Sequence, residues 1–187
     1  MFSATPTYKD SSRLGQRAPQ LLLEVAHILR LVGDLSAARQ LAEECYEATK
    51  GDGSLIYIPQ STGITYQLIP KSAVDGVPIL SMGYGRASSA DGRVFKWVFN
   101  PPDTYWTQAS AVIKYFSRRV GGYDKLKGVK IVHLYHNSAY GKEANPTLEI
   151  LAKRYGYKLT LIPVDHPGQE QASQWRQIRR IKPDFIF

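Results

Sequence analysis

The 187-residue sequence predicts an α/β fold in which parallel sheets are flanked by helices. Two observations carry that expectation. Residues 129–187 alternate strand, helix, strand, helix, strand at short spacing, the pattern of a parallel sheet with crossover helices. From Ser54 onward, short apolar runs alternate with helical patterns and are closed by proline or glycine.

Taken in order, residues 1–33 carry no strand signal. Their best apolar stretch, Leu21–Val32, is broken by Glu24, His27 and Arg30, so it reads as an amphipathic helix and not as a signal-peptide core. Gly33–Lys50 reads as a helix with Asp34 or Ser36 as cap and Leu41, Cys45 and Ala48 on one face. Apolar runs follow at Ser54–Ile58, closed by Pro59, and at Val77–Ser81, closed by the glycines of Met82-Gly83-Tyr84-Gly85. A third, Val94–Phe99, is closed by Pro101 and Pro102, and Ser88–Arg93 reads as loop. Thr104–Val120 is a long amphipathic helix stopped by Gly121 and Gly122. Val129–Tyr135 has strand length. Asn145 is placed to cap a helix with Pro146 in its first turn, Leu148, Leu151, Ala152 and Tyr155 on one face, and Gly156 as its stop. Tyr157–Val164 is then a strand, Glu170–Ile181 a helix ending before Pro183, and Asp184–Phe187 the start of another strand.

Hydrophobic residues make up 43% and charged residues 21%, a mixture able to bury a core. The net charge is +8, and the first fifty residues hold six basic and six acidic side chains, so the excess lies in residues 51–187. Its densest patch, Arg176, Arg179, Arg180 and Lys182, alternates with Trp175, Ile178 and Ile181 as the solvated face of a helix does. No recognition motif accompanies it, so nucleic acid is not an expected partner. Cys45 is the only cysteine, which excludes an intrachain disulfide and a cysteine-based zinc site. No window reaches the roughly 18 apolar residues that span a bilayer, so membrane insertion is not expected.

Three places carry the chemistry of small-ligand binding. Ser61, Thr62 and Gly63 lie between an apolar run and a helix, where hydroxyls and free N–H groups converge on an anion. The same residue types also make a plain helix cap. Gly83, Tyr84 and Gly85 follow a strand, and the two glycines let a ligand approach the backbone. Gly-x-Gly-x-x-Ser lacks the third glycine and the acidic partner of a dinucleotide site, so no nucleotide cofactor is expected. Tyr140 follows the Val129–Tyr135 strand, at the carboxyl end where open α/β sheets hold ligands; it also reads as a half-buried loop aromatic. His133 and His136 point to opposite faces of a strand, and no further ligand type is grouped with them, so no metal is expected. Asp165 and Glu143 have no evident partner, and no spacing argues for a catalytic set.

Four stretches together resemble one family. They are Gln60-Ser-Thr-Gly-Ile-Thr-Tyr, Gly76-Val-Pro-Ile-Leu-Ser-Met-Gly-Tyr-Gly, His136-Asn-Ser-Ala-Tyr-Gly-Lys-Glu and Gln174-Trp-Arg-Gln-Ile-Arg-Arg-Ile-Lys-Pro-Asp. In order and spacing they are similar to the leucine/isoleucine/valine-binding type of periplasmic binding protein, over roughly residues 40–187. The resemblance implies a two-lobed, type I fold, incomplete in this chain. Residues 34–101 would be part of the first lobe and 102–187 part of the second, with 1–33 an atypical segment. It implies that Ser61–Gly63 and the Gly83–Gly85 loop hold the ligand's backbone atoms and that Tyr140 packs over it. The family's acidic ammonium partner and a further tyrosine would fall beyond Phe187, so the chain is expected to be truncated at both ends. The implied role is the substrate-binding component of an ABC importer, non-enzymatic and without cofactor. It would bind an amino acid or related polar solute, deliver it to a membrane permease, and derive from a periplasmic parent. Tyr66 and Tyr84 are larger than a plain leucine pocket calls for. A ligand-sensing module of a regulator or receptor, and after it an α/β enzyme, are the alternative readings.

Overall fold

In the computed structural model, the described residues are 35–51, 53–81 and 85–187. Two compact units divide the chain, residues 1–54 and 55–187.

The first unit contributes α1, Leu35–Lys50. Ala38, Ala42, Cys45 and Tyr46 are buried on one face, a spacing of four, three and one that follows the 3.6-residue period. That face is rotated from the expected one: Ala48 is exposed, and Ser36 lies inside the helix instead of capping it. Gln40 donates to Glu44, and Lys50 pairs with Glu47 along the outer side. The expectations for residues 1–33 and for Asp34 lie outside the described residues.

The second unit holds two parallel sheets. In the smaller, β1 (Ile79–Leu80) pairs with β2 (Val98–Phe99), and Tyr57 bridges to Ile79. Helix α2, Thr62–Asp75, precedes β1 and ends where Gly76 takes the left-handed conformation at φ 67°. These strands are shorter than the apolar runs suggested. Residues 91–97 fold into turns because Asp91 accepts from the backbone N–H and guanidinium of Arg93, while Val94 and Phe95 donate back to the Asp91 carbonyl. The expected run at Ser54–Ile58 is reduced to the single bridge at Tyr57, with Leu55, Ile56 and Ile58 exposed. A 3₁₀ turn at Ala87–Ala90 occupies the start of the expected loop.

The larger sheet follows α3 (Tyr105–Val120), whose first turn is capped by Thr104 accepting from the Thr107 N–H. Its strands β3 (Lys130–His136), β4 (Lys158–Val164) and β5 (Phe185–Ile186) run parallel in the order β4-β3-β5. A single-turn helix α4 (Ala139–Lys142) and helix α5 (Asn145–Tyr155) connect β3 to β4; α6 (Ala172–Ile181) connects β4 to β5. Alternation along β3 divides the core. Ile131 faces Ala109, Ile113 and Phe116 of α3 and Leu148 of α5, whereas Val132 faces Ile162 and Ile178 on the opposite side. Fully burying one such isoleucine contributes about 1.5–3 kcal/mol, which is why these two strands were legible from composition alone.

Asn145 opens α5 but does not cap it. Its Oδ1 lies 3.0 Å from Nδ1 of His133, which is buried, so the side chain is spent on an internal histidine and not on the helix end. Burial holds the His133 imidazole below its ordinary pKa, partly offset by that hydrogen bond.

Candidate functional site

The carboxyl end of β3 meets α2 through α4. Ser138 caps α4, and Gly141 sits so close to the His136 carbonyl that a Cβ there would overlap it. This approach seats the single turn directly on the strand end. At 100° per residue, Ala139, Lys142 and Glu143 then share one face, while Tyr140 is turned away from it.

Glu143 is 7% exposed, and its carboxylate reaches back to the segment before β2. One oxygen accepts from the Tyr66 hydroxyl of α2 and the other from the Ala87 N–H at 2.9 Å. Burial, then the Glu143 hydrogen bond and the charge behind it, push the Tyr66 phenol up to about 12; Arg86 opposes the shift. The Arg86 guanidinium lies over the Tyr66 and Phe95 rings at 5.3 and 5.2 Å, and its Nε donates to the Ser88 hydroxyl at 2.7 Å. Ser89 fixes this turn by donating to the Arg86 carbonyl and accepting from Asn100. Between these groups opens a cavity of about 350 Å³, floored by Glu143 and walled by Tyr66, Arg86, Trp106 and Lys142.

Of the described residues expected to hold the ligand, Ser61, Thr62, Gly63, Gly85 and Tyr140 are not among its walls, whereas Tyr66, noted from sequence for its size, is. Ser61 occupies the N-cap position of α2, yet its side chain makes no capping bond, and its carbonyl accepts from both the N–H and the hydroxyl of Thr65. Thr62 is buried and Gly63 half-buried. Gly83 and Tyr84 lie outside the described residues. Gly85 packs against its own loop and α2: a Cβ would stand 2.7 Å from Cβ of Ser81 and 3.0 Å from Cγ2 of Thr65. This contact brings Ser81 and Gly85 to the first turn of α2. Tyr140 is half-exposed, with its ring against Tyr105 and stacked on His136. Helices α2 and α4 pack together, but among the described residues no hydrogen bond or ring contact joins Tyr140 to Ser61.

Two carboxylates without an evident partner in the sequence prove to have one. Glu143 bridges Tyr66 and Ala87, and Asp165 accepts from the Asn137 amide at 2.6 Å. His133 and His136 occupy opposite faces. His133 stacks on Phe187; His136 lies edge-on to His166, and burial together with that neighbour lowers its pKa against the pull of Asp165. Among the described residues no group of three His, Cys, Asp or Glu could hold a metal ion, and no helix is long and apolar enough to cross a membrane.

Comparison with known proteins bears on the fold and the family. A family model described as "Periplasmic binding protein" matches residues 32–187. A solved structure from the Pseudomonas fluorescens group, described as an ABC transporter permease, is 42% identical, with a TM-score of 0.72 over 80% of this chain and 37% of that one. A branched-chain amino acid ABC transporter protein from Thermus thermophilus with bound valine is 16% identical, with a TM-score of 0.68 over 79% of this chain and 37% of its own. An ABC transporter solute-binding protein of R. palustris in complex with benzoate is also 16% identical, with a TM-score of 0.62 over 92% of this chain and 41% of its own. This chain therefore spans about two fifths of the length of these structures. No match was found among curated proteins. The chain belongs to the periplasmic binding protein family, a family of α/β solute-binding proteins that are not enzymes.

Proposed function

We propose that this chain is part of the substrate-binding component of an ABC importer and takes an amino acid or related small polar solute. In this reading residues 34–101 and 102–187 belong to two lobes, and the solute lies between them in the periplasm before delivery to a permease. The start of α2, with Ser61, Thr62 and Gly63, would hold its carboxylate, the loop of Gly83, Tyr84 and Gly85 would contact its backbone atoms, and Tyr140 would cover it.

The observation that carries the reading is the unused cap at Ser61. A hydroxyl at the N-cap of a 14-residue helix normally accepts from the helix's own N–H groups. Here, among the described residues, it does not, leaving the Gly63 and Ile64 N–H groups and the positive end of the helix dipole for an anionic group. Support for the role, as distinct from the ligand, comes from family membership.

Calorimetric titration of the chain against a panel of amino acids tests this. Binding tighter than millimolar for at least one of them, weakened about tenfold by Ser61→Ala, is the expected result. A panel in which nothing binds, or in which Ser61→Ala leaves affinity unchanged, overturns the assignment of the site.

A further inference from the structure

We propose that the end of the larger sheet where its strands begin is a docking surface for a bilayer carrying anionic phospholipids, held at the headgroups without insertion. This end lies opposite the carboxyl ends of the strands, so the inference does not depend on where, or whether, a solute binds.

The fold itself gathers the charge. In a parallel sheet the connecting helices run back against the strands, so helix C-termini and strand starts share one end. Helix α3 finishes on Arg118 and Arg119, α5 on Lys153 and Arg154, and α6 on Arg179 and Arg180, all exposed. Helices α3 and α5 pack on one face of the sheet and α6 on the other, so these pairs surround the strand starts from both sides. Strands β3 and β4 both begin with lysine, Lys130 and Lys158, side by side in register. Two hydrogen bonds fix the convergence. Lys130 Nζ donates to the Ile181 carbonyl at the end of α6, at 2.9 Å, and the Gly128 N–H donates to the Gly156 carbonyl just past α5, at 2.9 Å.

The charge at this end is nearly unopposed. Residues 118–130, 153–158 and 179–184 hold eleven cations and two acids, Asp124 and Asp184, so they carry more positive charge than the +8 of the whole chain. Among the described residues only Lys125 forms an ion pair here, with Asp124 at 3.6 Å. A cation in the last turn of a helix answers the negative end of its dipole, which accounts for part of the pattern. It does not account for Lys125 and Lys127, or for Lys130 beside Lys158, where like charges on neighbouring strands repel. An anionic surface against this end would offset that repulsion.

The layout selects the partner. Nucleic acid is followed by a stripe or groove of cations. Here the cations ring the sheet end on both faces, an arrangement suited to a plane of charge. Tyr123, 39% exposed, stands among them in the 3₁₀ turn Tyr123–Leu126 and stacks on Tyr155 at 4.5 Å, with the Arg154 guanidinium over the Tyr155 ring. Tyrosine is enriched at the headgroup level of membranes, where its polar tip stays wet.

Co-sedimentation of the chain with vesicles tests this, comparing phosphatidylcholine alone with phosphatidylcholine mixed with phosphatidylglycerol. The chain is expected to pellet with the mixed vesicles and to stay in solution with phosphatidylcholine alone. Release is expected by about 0.5 M salt, where screening cuts the reach of a charge to a few ångströms. Each cation near such a surface is worth about fivefold in partitioning, so Lys153→Gln/Arg154→Gln and Arg179→Gln/Arg180→Gln should each lose at least that much. Lys142→Gln, at the carboxyl end of the sheet, should lose less than about twofold, because it lies beyond the reach of screened charge. Circular dichroism matching that of the unmodified chain shows which variants are folded. Equal pelleting of the unmodified chain with both vesicle types, or with neither, overturns the proposal even if every variant fails to fold. So does a loss with Lys142→Gln as large as with the paired variants, which would make the attraction a matter of net charge alone. A duplex oligonucleotide that binds the chain at physiological salt while the mixed vesicles do not would assign the surface to nucleic acid instead.

Discussion

The contact between Glu143 and Tyr66 joins residues 77 positions apart, and a double-mutant cycle measures what it contributes. Tyr66→Phe removes the donor and leaves one carboxylate oxygen without its partner. Glu143→Ala removes the acceptor for both Tyr66 and the buried Ala87 N–H. A hydrogen bond to a charged group contributes about 1.5–3 kcal/mol, so Tyr66→Phe should cost at least ~1.5 kcal/mol. Glu143→Ala deletes two such bonds, but it also relieves the desolvation of a buried carboxylate, so about 2–4 kcal/mol is expected. The double variant should fall short of the sum by ~1.5 kcal/mol or more, well outside the ~0.5 kcal/mol within which independent sites add. Urea unfolding followed by tryptophan fluorescence and far-ultraviolet circular dichroism supplies the four free energies. The phenol gives a second readout. With Glu143→Gln its titration should fall from about 12 toward the ordinary 10, visible as phenolate absorbance appearing at lower pH. The raised value means the folded chain holds this proton more tightly than the unfolded one, so the contribution is full below pH 10 and is lost progressively as pH rises from there through about 12. An additive cycle together with an unmoved phenol titration would refute the bridge.

Two further outcomes follow from local geometry. Gly141→Ala forces a methyl group into the His136 carbonyl and should destabilise the fold by more than about 2 kcal/mol, whereas Gly92→Ala, with open space around it, should stay within ~0.5 kcal/mol; comparable urea midpoints for both would contradict the seating of α4 on β3. His133 has a folded pKa below 6.5, so the unfolded chain takes up its proton first and stability should fall as pH drops through and below 6.5. His133→Phe should flatten that decline between pH 8 and 5, and an unchanged slope would assign it elsewhere.

How much of this was legible in the sequence depends on the range of the contact. β3 and β4 each have seven residues and carry apolar runs of strand length, so composition located them to within about one residue. Helix α3 was legible because its cap, apolar stripe and Gly121 stop are all local. β1 and β2 were overextended because apolar residues at 94–97 resemble a strand, while the turn they form is set by Asp91 and Arg93, a polar contact the apolar pattern does not register. Asn145 has the residue type of a cap, and its use by His133, 12 residues away, cannot be read from helix spacing. The cavity was missed for the same reason on a larger scale, since its floor depends on contacts 56 and 77 residues apart. A faint signal did exist: Glu143 stands one helical turn beyond Ala139, after the carboxyl end of a strand, with no cation three or four residues to either side of it.

That absence of a local cation bears on why the cavity is charged. Had Glu143 paired with Arg86, the walls would hold a closed ion pair and only Lys142 would remain to attract an anion. Instead the buried carboxylate is satisfied by a phenol and a backbone N–H, both neutral donors. Neutral donors stabilise a carboxylate without cancelling its charge, and they cost Arg86 none of its hydrogen-bonding capacity. Arg86 is oriented by aromatic faces and a serine hydroxyl, which fix its position and, among the described residues, leave its two terminal nitrogens without a hydrogen bond. Structural cohesion between the two segments thus falls to Glu143, while the terminal nitrogens of Arg86 keep their hydrogen-bonding capacity. Because Arg86 makes a single side-chain hydrogen bond and Glu143 holds two segments together, Glu143→Ala should cost more stability than Arg86→Gln, which urea unfolding compares. A single shared ion pair would have tied them together.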